Sequence, residues 1–434
     1  MKKQLSLLLV LFIYFLVYSH SFAQDNSSYT LTQCYQHALK RSDAIGNSIE
    51  LINQAEERVK QVQGNFLPTL SASASYQRQE VPPGASAIAI DITPADQTNA
   101  SVRLSQNVFR GFRDFASLKQ KKGEKKSSEA LLEQAKLQLF QDTTDAFYTI
   151  LVYEHDIVNY QNEIEANKQR KNELLNLKKL ARAREADIVS IDASIAVLSA
   201  SLESTHGLLA ASRETVAFLT GLSSEIKLSD SEFYPEELSP IESWVIDIDK
   251  RPDVIQLKEE LKVADKKIEF ARSGHFPSLD VGSNYYFKRP GIYDDINWDV
   301  FVSLTLPLFS GGITQSQIRE ATSNKSVAAI RLREKKKQRE YDVRYLYKTL
   351  ERTRSQVQKL SHATELSKKR YELLLKDNRA GLATNIDVLQ ALATAYQTER
   401  SYDHAKLTAK QYFVKLEAIS AKKDLKKLEE DTSL

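Results

Sequence analysis

Residues able to do covalent or metal chemistry are sparse in this sequence. It has one cysteine, Cys34, and seven histidines, one of them (His20) within the first 23 residues. A lone thiol makes no cluster, and the histidines recur at no ligand spacing such as HExxH. GxSxG, GxGxxG and Walker A sequences are absent. The reading is therefore no catalytic residue, no cofactor and no metal. What remains is charge at recurring positions. Asp187 in Asp187-Ile188-Val189 and Asp387 in Asp387-Val388-Leu389 lie two hundred residues apart. Arg182, Arg184 and Glu185 precede the first, and Asp377 and Arg379 precede the second. Their chemistry is electrostatic: bridges that hold the helix tips shut, or an acidic ring attracting cations where several copies surround one axis. The alternative is solvated charge on helix ends, each bridge worth ~0–1 kcal/mol.

The elements that position these charges follow from the helix breakers. Thirteen glycines and ten prolines in 434 residues are under half the usual ~7% and ~5%. Neither occurs from Glu124 to His206 or from Ile313 to Ala380, while the prolines cluster at 68–94, 235–252 and 277–307. Few, very long helices must dominate. The hydrophobic fraction of 42% is low for a large dry core. Lys2, Lys3, the apolar run Leu5–Val17 and Ser21-Phe22-Ala23 read as a secretory signal peptide over 1–23, with a mature chain from Gln24. Removing it takes two lysines and no acid from a net charge of +3, which gives no ground for nucleic-acid binding. Cys34, without a partner for an intrachain disulfide, reads as a small buried apolar residue.

The breaker-free regions carry coiled-coil spacing. Leu132, Leu139, Ala146, Tyr153 and Tyr160 recur every seven residues beside Ile150, Ile157 and Ile164. Leu346, Leu350, Thr353, Val357, Leu360, Thr364, Ser367, Tyr371 and Leu374 step by four and three. The breaker-rich regions alternate with period two, as strands do: Leu70 to Gln77, Ser101 to Val108, Leu279 to Lys288 and Asn297 to Leu308. Such alternation suits a half-buried soluble sheet or a membrane barrel.

The two halves repeat. Phe66-Leu67-Pro68-Thr69-Leu70 matches His275-Phe276-Pro277-Ser278-Leu279, and Phe109-Arg110-Gly111-Phe112 matches Phe309-Ser310-Gly311-Gly312. Each half reads as helix, strand, loop, strand, long helix, tip, helix. The division is 24–220 for the first repeat, 221–250 for a linking equatorial segment, 251–420 for the second repeat and 421–434 for a tail. Leading helices run from Leu31 to Gly64 and Arg251 to Gly274, and long helices of ~100 Å from Phe112 to Lys179 and Ile313 to Ala380. Returning helices run from Asp187 to Thr220 and Asp387 to Ser420. Four strands cannot close in lipid without an open edge, so the chain must oligomerise. Two copies give eight strands, filled by side chains; three give twelve, with room for a passage, and three is preferred.

This arrangement resembles the TolC-like outer membrane efflux protein family over essentially the whole mature chain. The residues that carry the likeness are Thr30-Leu31 with Ala38-Leu39, the two Phe-Pro strand entries and Leu306-Pro307-Leu308-Phe309-Ser310-Gly311-Gly312. Most specific is Arg370-Tyr371 followed by Gly381-Leu382-Ala383 and Asp387-Val388-Leu389-Gln390-Ala391. The resemblance implies a mainly α fold with a membrane β-barrel portion. A homotrimer, four strands per chain, would form a 12-stranded barrel continuing into a long α-helical coiled-coil periplasmic tunnel. It implies an outer-membrane exit channel of efflux or type I secretion, extending into the periplasm. The partners implied are outer-membrane lipid, a periplasmic adaptor (membrane fusion) protein and an inner-membrane pump of RND or ABC type. The tips would dock the adaptor through Gly381, Leu382 and Ala383, with Leu180, Ala181 and Arg182 as first-repeat counterparts. Asp387 falls on a gate acid and Asp187 is its repeat mate. Gln390 stands where the family has a second gate acid, Ala383 where a basic residue is common, and Ala181 where glycine is frequent.

Two further groups have double readings. Lys119-Gln120-Lys121-Lys122 with Lys125 and Lys126 lies just past a strand end and suits anionic lipid heads or a solvated helix face. Tyr76, Tyr285, Tyr286, Tyr293 and Trp298 suit an aromatic girdle or ordinary strand packing. The rival class is a secreted periplasmic structural coiled coil without channel activity, which needs no duplicated strand pairs.

Overall fold

The computed structural model describes residues 28–430 apart from 82, 85, 87, 89–91, 93 and 424. The expected signal peptide and residues 431–434 of the expected tail lie outside the described residues. In order, the principal elements are β1 (Ser28–Tyr29), α1 (Leu31–Arg41), α2 (Asp43–Gly64), β2 (Thr69–Arg78), β3 (Asp96–Arg110), α3 (Arg113–Lys179) and α4 (Glu185–Thr220). There follow β4 (Lys227–Leu228), α5 (Pro252–Arg272), β5 (Ser278–Lys288), β6 (Trp298–Thr305), α6 (Ile313–Arg379) and α7 (Asn385–Ile419). The series α2-β2-β3-α3-α4 recurs as α5-β5-β6-α6-α7, and α3 and α6 each have 67 residues. At 1.5 Å per residue each is ~100 Å long.

Three local expectations change. The opening helix is not continuous to Gly64. Ser42 takes an extended conformation (φ −66°, ψ 112°) and its N–H closes α1 on the Ala38 carbonyl. β6 ends at Thr305 rather than Leu308, because Pro307 has no N–H to give a ladder. In β3 a register shift falls between Asn107 and Phe109, so Phe109 rather than Val108 pairs with the next strand, opposite Leu279. One extra residue moves the following side chain to the other face of the sheet.

By contacts the chain divides into two compact units that cut across the repeats. One unit, 43–136 with 245–343, holds the four-stranded sheet, ordered β2-β3-β5-β6 and antiparallel throughout. Its register groups Leu70, Val102, Leu104, Val281, Tyr285, Trp298, Val300, Val302 and Leu304 on one face. Ser73, Ser101, Arg103, Asn284, Asp299 and Phe301 share the other. The apolar face is bare, with Trp298, Val302 and Leu304 each 65–69% exposed. Neither β2 nor β6 has a partner along its outer edge among the described residues.

The other unit comprises residues up to 42, 137–244 and 344–434. Here α3 packs on α4 through Ala146, Ile150, Ile157, Leu209 and Val216, as the heptads foretell. The linker pairs β4 with β1 in parallel and sets Tyr234 and Trp244 edge-on against Phe413 of α7. Cys34 is fully buried in α1, and burial pushes its thiol up to about 12. The helix α4 is long and apolar enough by composition to cross a membrane, yet only 17% of that stretch is buried. Val197 and Phe218 are exposed on it.

Candidate functional site

Each long helix turns into its return helix through the same construction. After α3, Ala181 N–H bonds the Lys178 carbonyl and Arg182 N–H the Leu177 carbonyl, both 2.9 Å. After α6, Gly381 N–H bonds Asn378 at 3.0 Å and Leu382 N–H bonds Asp377 at 2.8 Å. This is a Schellman ending, whose pivot residue must be left-handed. Gly381 (φ 79°) and Ala181 (φ 53°) fill it, so the alanine holds a conformation that favours glycine. Leu180 and Leu382 project from these tips, 67% and 81% exposed.

The two repeat-related aspartates do the same local task. Asp387 accepts from the Thr384 N–H at 2.9 Å and from its hydroxyl at 2.5 Å, while its own N–H returns to Thr384 Oγ1. That reciprocal cap starts α7. Those bonds, with Arg370 adding a weaker pull, hold the Asp387 carboxyl below the usual carboxylate range. Asp187 accepts from Arg184 N–H at 3.3 Å and Nε at 3.2 Å, and is buried.

The expected bridges are realised selectively. Arg184 meets Asp187, but Glu185 pairs with Lys178, and Arg379 reaches Glu173 at 3.0 Å. Arg182 and Asp377 make no ion pair among the described residues. Gln390 is exposed on α7. The Ala383 carbonyl accepts from Asn378 Nδ2 at 2.8 Å.

The residue that joins the two hairpins is one that sequence spacing did not single out. Arg170 of α3, 4% exposed, donates Nε to Asn385 Oδ1 at 3.1 Å, Nη1 to Glu173 at 2.8 Å and Nη2 to Asn378 Oδ1. Burial works to raise the Glu173 carboxyl, but Arg170 and Arg379 together hold it low. Above it, α3 and α7 run antiparallel along a ladder of polar pairs. Glu163 bonds Arg400 (2.6 Å), Asn159 bonds Asp403 (3.0 Å), Asp156 bonds His404 (2.8 Å) and Asp145 bonds Lys415 (2.8 Å). Glu163 and Arg400 are nearly buried, at 4% and 11% side-chain exposure. Desolvation offsets much of the attraction in a buried pair of this kind, so it adds little net stability.

The aromatic candidates divide. Tyr76, Tyr285 and Trp298 are exposed on the sheet's apolar side. Tyr286 is on the polar face, its hydroxyl donating to Asp299 at 3.0 Å. Tyr293 lies in the β5–β6 turn under Arg289.

The family described as outer membrane efflux protein matches residues 34–174 and 248–422. Outer membrane protein TolC of Escherichia coli K12 is 22% identical over 425 residues, covering 94% of this chain and 84% of that protein. The solved structure of VceC from Vibrio cholerae aligns at a TM-score of 0.77 and 16% identity, over 90% of this chain and 96% of that one. The Campylobacter jejuni CmeC channel gives 0.77 and 16%, over 94% and 89%.

Proposed function

Because the chain belongs to the outer membrane efflux protein family, an outer-membrane channel family with a periplasmic extension, we propose that it is the exit duct of a tripartite efflux or type I secretion system. The observation that carries this reading is the sheet. Its apolar face is exposed and both outer strands lack partners among the described residues, which hydrocarbon does not tolerate in an isolated chain. Four antiparallel strands from each of three copies close a 12-stranded ring in which β6 meets the next copy's β2, again antiparallel. Trimerisation also covers the bare apolar side of α4. The family match speaks against the secreted coiled-coil spacer. The halves 24–220 and 251–420, joined by 221–250, are then duplicated arms of one wall.

The duct is passive, and its periplasmic end is the gate. Gly381, Leu382 and Ala383, with Leu180, Ala181 and Arg182, form the surface offered to a periplasmic adaptor, itself bound to an RND-type or ABC-type inner-membrane pump. Three copies of Asp387 form an acidic ring at the constriction, with Asp187 and Gln390 nearby. Arg170 is the latch: Asn378 and Asn385 bracket the second tip, so splaying that tip away from α3 means breaking its bonds.

The test is direct. The chain is purified from outer membranes in detergent, sized by light scattering and placed in planar bilayers. A trimer with cation-preferring conductance is expected; a soluble monomer from the periplasm overturns the reading.

A further inference from the structure

We propose that a groove under the β3–β5 seam binds an anionic phospholipid of the periplasmic leaflet, its acyl chains on phenylalanines and its phosphate between Lys119 and Arg272. The inference rests on the outer-membrane channel reading. The groove, about 510 Å³, lies between the first turns of α3 and the end of α5, with Phe112, Phe115 and Phe276 as walls and Lys119, Glu269 and Arg272 at the rim.

The walls continue the apolar face of the sheet. Phe109 pairs with Leu279, which in turn pairs with Leu304 on that face. The Phe109 ring meets Phe112 at 5.2 Å, Phe112 meets Phe276 at 6.4 Å, and Phe66 meets Phe115 at 5.2 Å. Apolar surface therefore runs past the strand ends onto the helices, and Phe112 and Phe115 remain 61% and 56% exposed. The turn is shaped for this. A Cβ on Gly111 would stand 2.5 Å from Phe276 Cβ and 2.8 Å from the Ser273 carbonyl, so only glycine lets the turns approach. Phe112 itself is left-handed, φ 66°, a conformation that disfavours bulky residues.

The rim supplies charge that no ion pair among the described residues takes up. Lys119 and Arg272 make no ion pair among the described residues, whereas neighbouring Lys121 and Lys125 are taken by Glu124 and Glu56. Glu269 is taken by Lys266 at 2.5 Å. Two free cations beside an apolar groove at a membrane boundary complement one phosphate carrying two chains. The site also lies one strand in from each edge, β2 and β6, so strand pairing with a neighbouring copy takes place away from it.

The full chain in mild non-ionic detergent is titrated with phosphatidylglycerol and, separately, phosphatidylcholine, and bound lipid is counted by native mass spectrometry. Phosphatidylglycerol is expected to occupy the protein at up to roughly thirtyfold lower concentration, as two cations near an anionic head imply. Lys119→Gln with Arg272→Gln should abolish that preference, and Lys119→Arg with Arg272→Lys should keep it. Lys122→Gln with Lys126→Gln, exposed on the same helix, should also keep it. Equal binding of both lipids by the unaltered chain, or equal loss in both neutralised pairs, overturns the groove alone. A chain that needs no detergent overturns the channel reading as well.

Discussion

Arg170 and Asn385 are bonded across helices that the sequence holds 215 residues apart, Nε to Oδ1 at 3.1 Å. Asn385 opens α7 and its own Nδ2 is buried without a partner, so the guanidinium supplies the only side-chain bond that the amide makes among the described residues. Glu173 and Asn378 complete the grip.

Replacing Arg170 with Ala should therefore loosen the second tip. Unpairing buried polar groups costs about 2–4 kcal/mol, and the bonds lost all join α3 to the tip or steady Glu173. Single-channel conductance in planar bilayers should rise severalfold over the unaltered protein. Arg170→Lys, with one compact ammonium in place of a planar fork, should fall between them. Unchanged conductance in Arg170→Ala would remove the latch.

Acidity should tighten the same interface. His404 Nε2 lies 2.8 Å from Asp156 Oδ2, and that bond raises the imidazole above its ordinary value; burial opposes, Asp403 adds and Arg400 subtracts. His155 and Asn159 of α3 face the same spot through Asp403. A histidine raised in the folded state stabilises fully below its unfolded value of ~6.5 and loses that contribution as pH climbs through the raised value. The ring is about half exposed (46%), so the effect is under ~1 kcal/mol. Amide protection around residues 400–408, corrected for intrinsic exchange, should drop up to about fivefold between pH 6 and 8.5. In His404→Gln it should stay flat.

The tips make a matched pair of opposite substitutions. A Cβ on Gly381 would meet nothing within 4 Å, so Gly381→Ala carries only the backbone penalty of a left-handed L-residue, about 1–2 kcal/mol. Ala181 already bears that penalty at φ 53°, and Ala181→Gly should recover about 1 kcal/mol. Thermal unfolding followed at 222 nm should shift down for the first and up for the second. Shifts of one sign in both would mean that side-chain contacts, not backbone conformation, dominate these turns.

Local signals carried most of the fold and little of the site. Breaker spacing and heptads located α3 and α6 to within a residue or two, since Ile150, Ile157 and Leu350 face their partners as the period demands. The break at Ser42 and the bulge before Phe109 were hidden, because neither glycine nor proline marks them. Asp187 and Asp387 were legible as a repeated pair, but their caps depend on Arg184 and Thr384 three residues earlier. Arg170 could not be found by spacing. Its partners Asn378 and Asn385 are over 200 residues away, and only Glu173, one turn along α3, is local.

Cation preference should follow Asp387 more than Asp187. Thr384 holds the Asp387 carboxyl of one chain below the usual range, while three such carboxylates brought around one axis would raise one another. Stability that this carboxylate contributes is present above its unfolded value of ~3.9 and is lost as pH falls through the depressed folded value. Reversal potentials should therefore fall toward non-selectivity as pH drops through the carboxylate range. Asp387→Asn separates charge from cap, because the amide oxygen still accepts from Thr384. It should lose selectivity while α7 keeps its start, whereas Asp387→Ala loses both. Asp187→Asn should change the reversal potential little, since that carboxylate is buried against Arg184 and presents little net charge to a passing ion. Equal loss in both asparagine variants would put the constriction elsewhere along α4 and α7, and unchanged selectivity in Asp387→Asn would dispose of the ring.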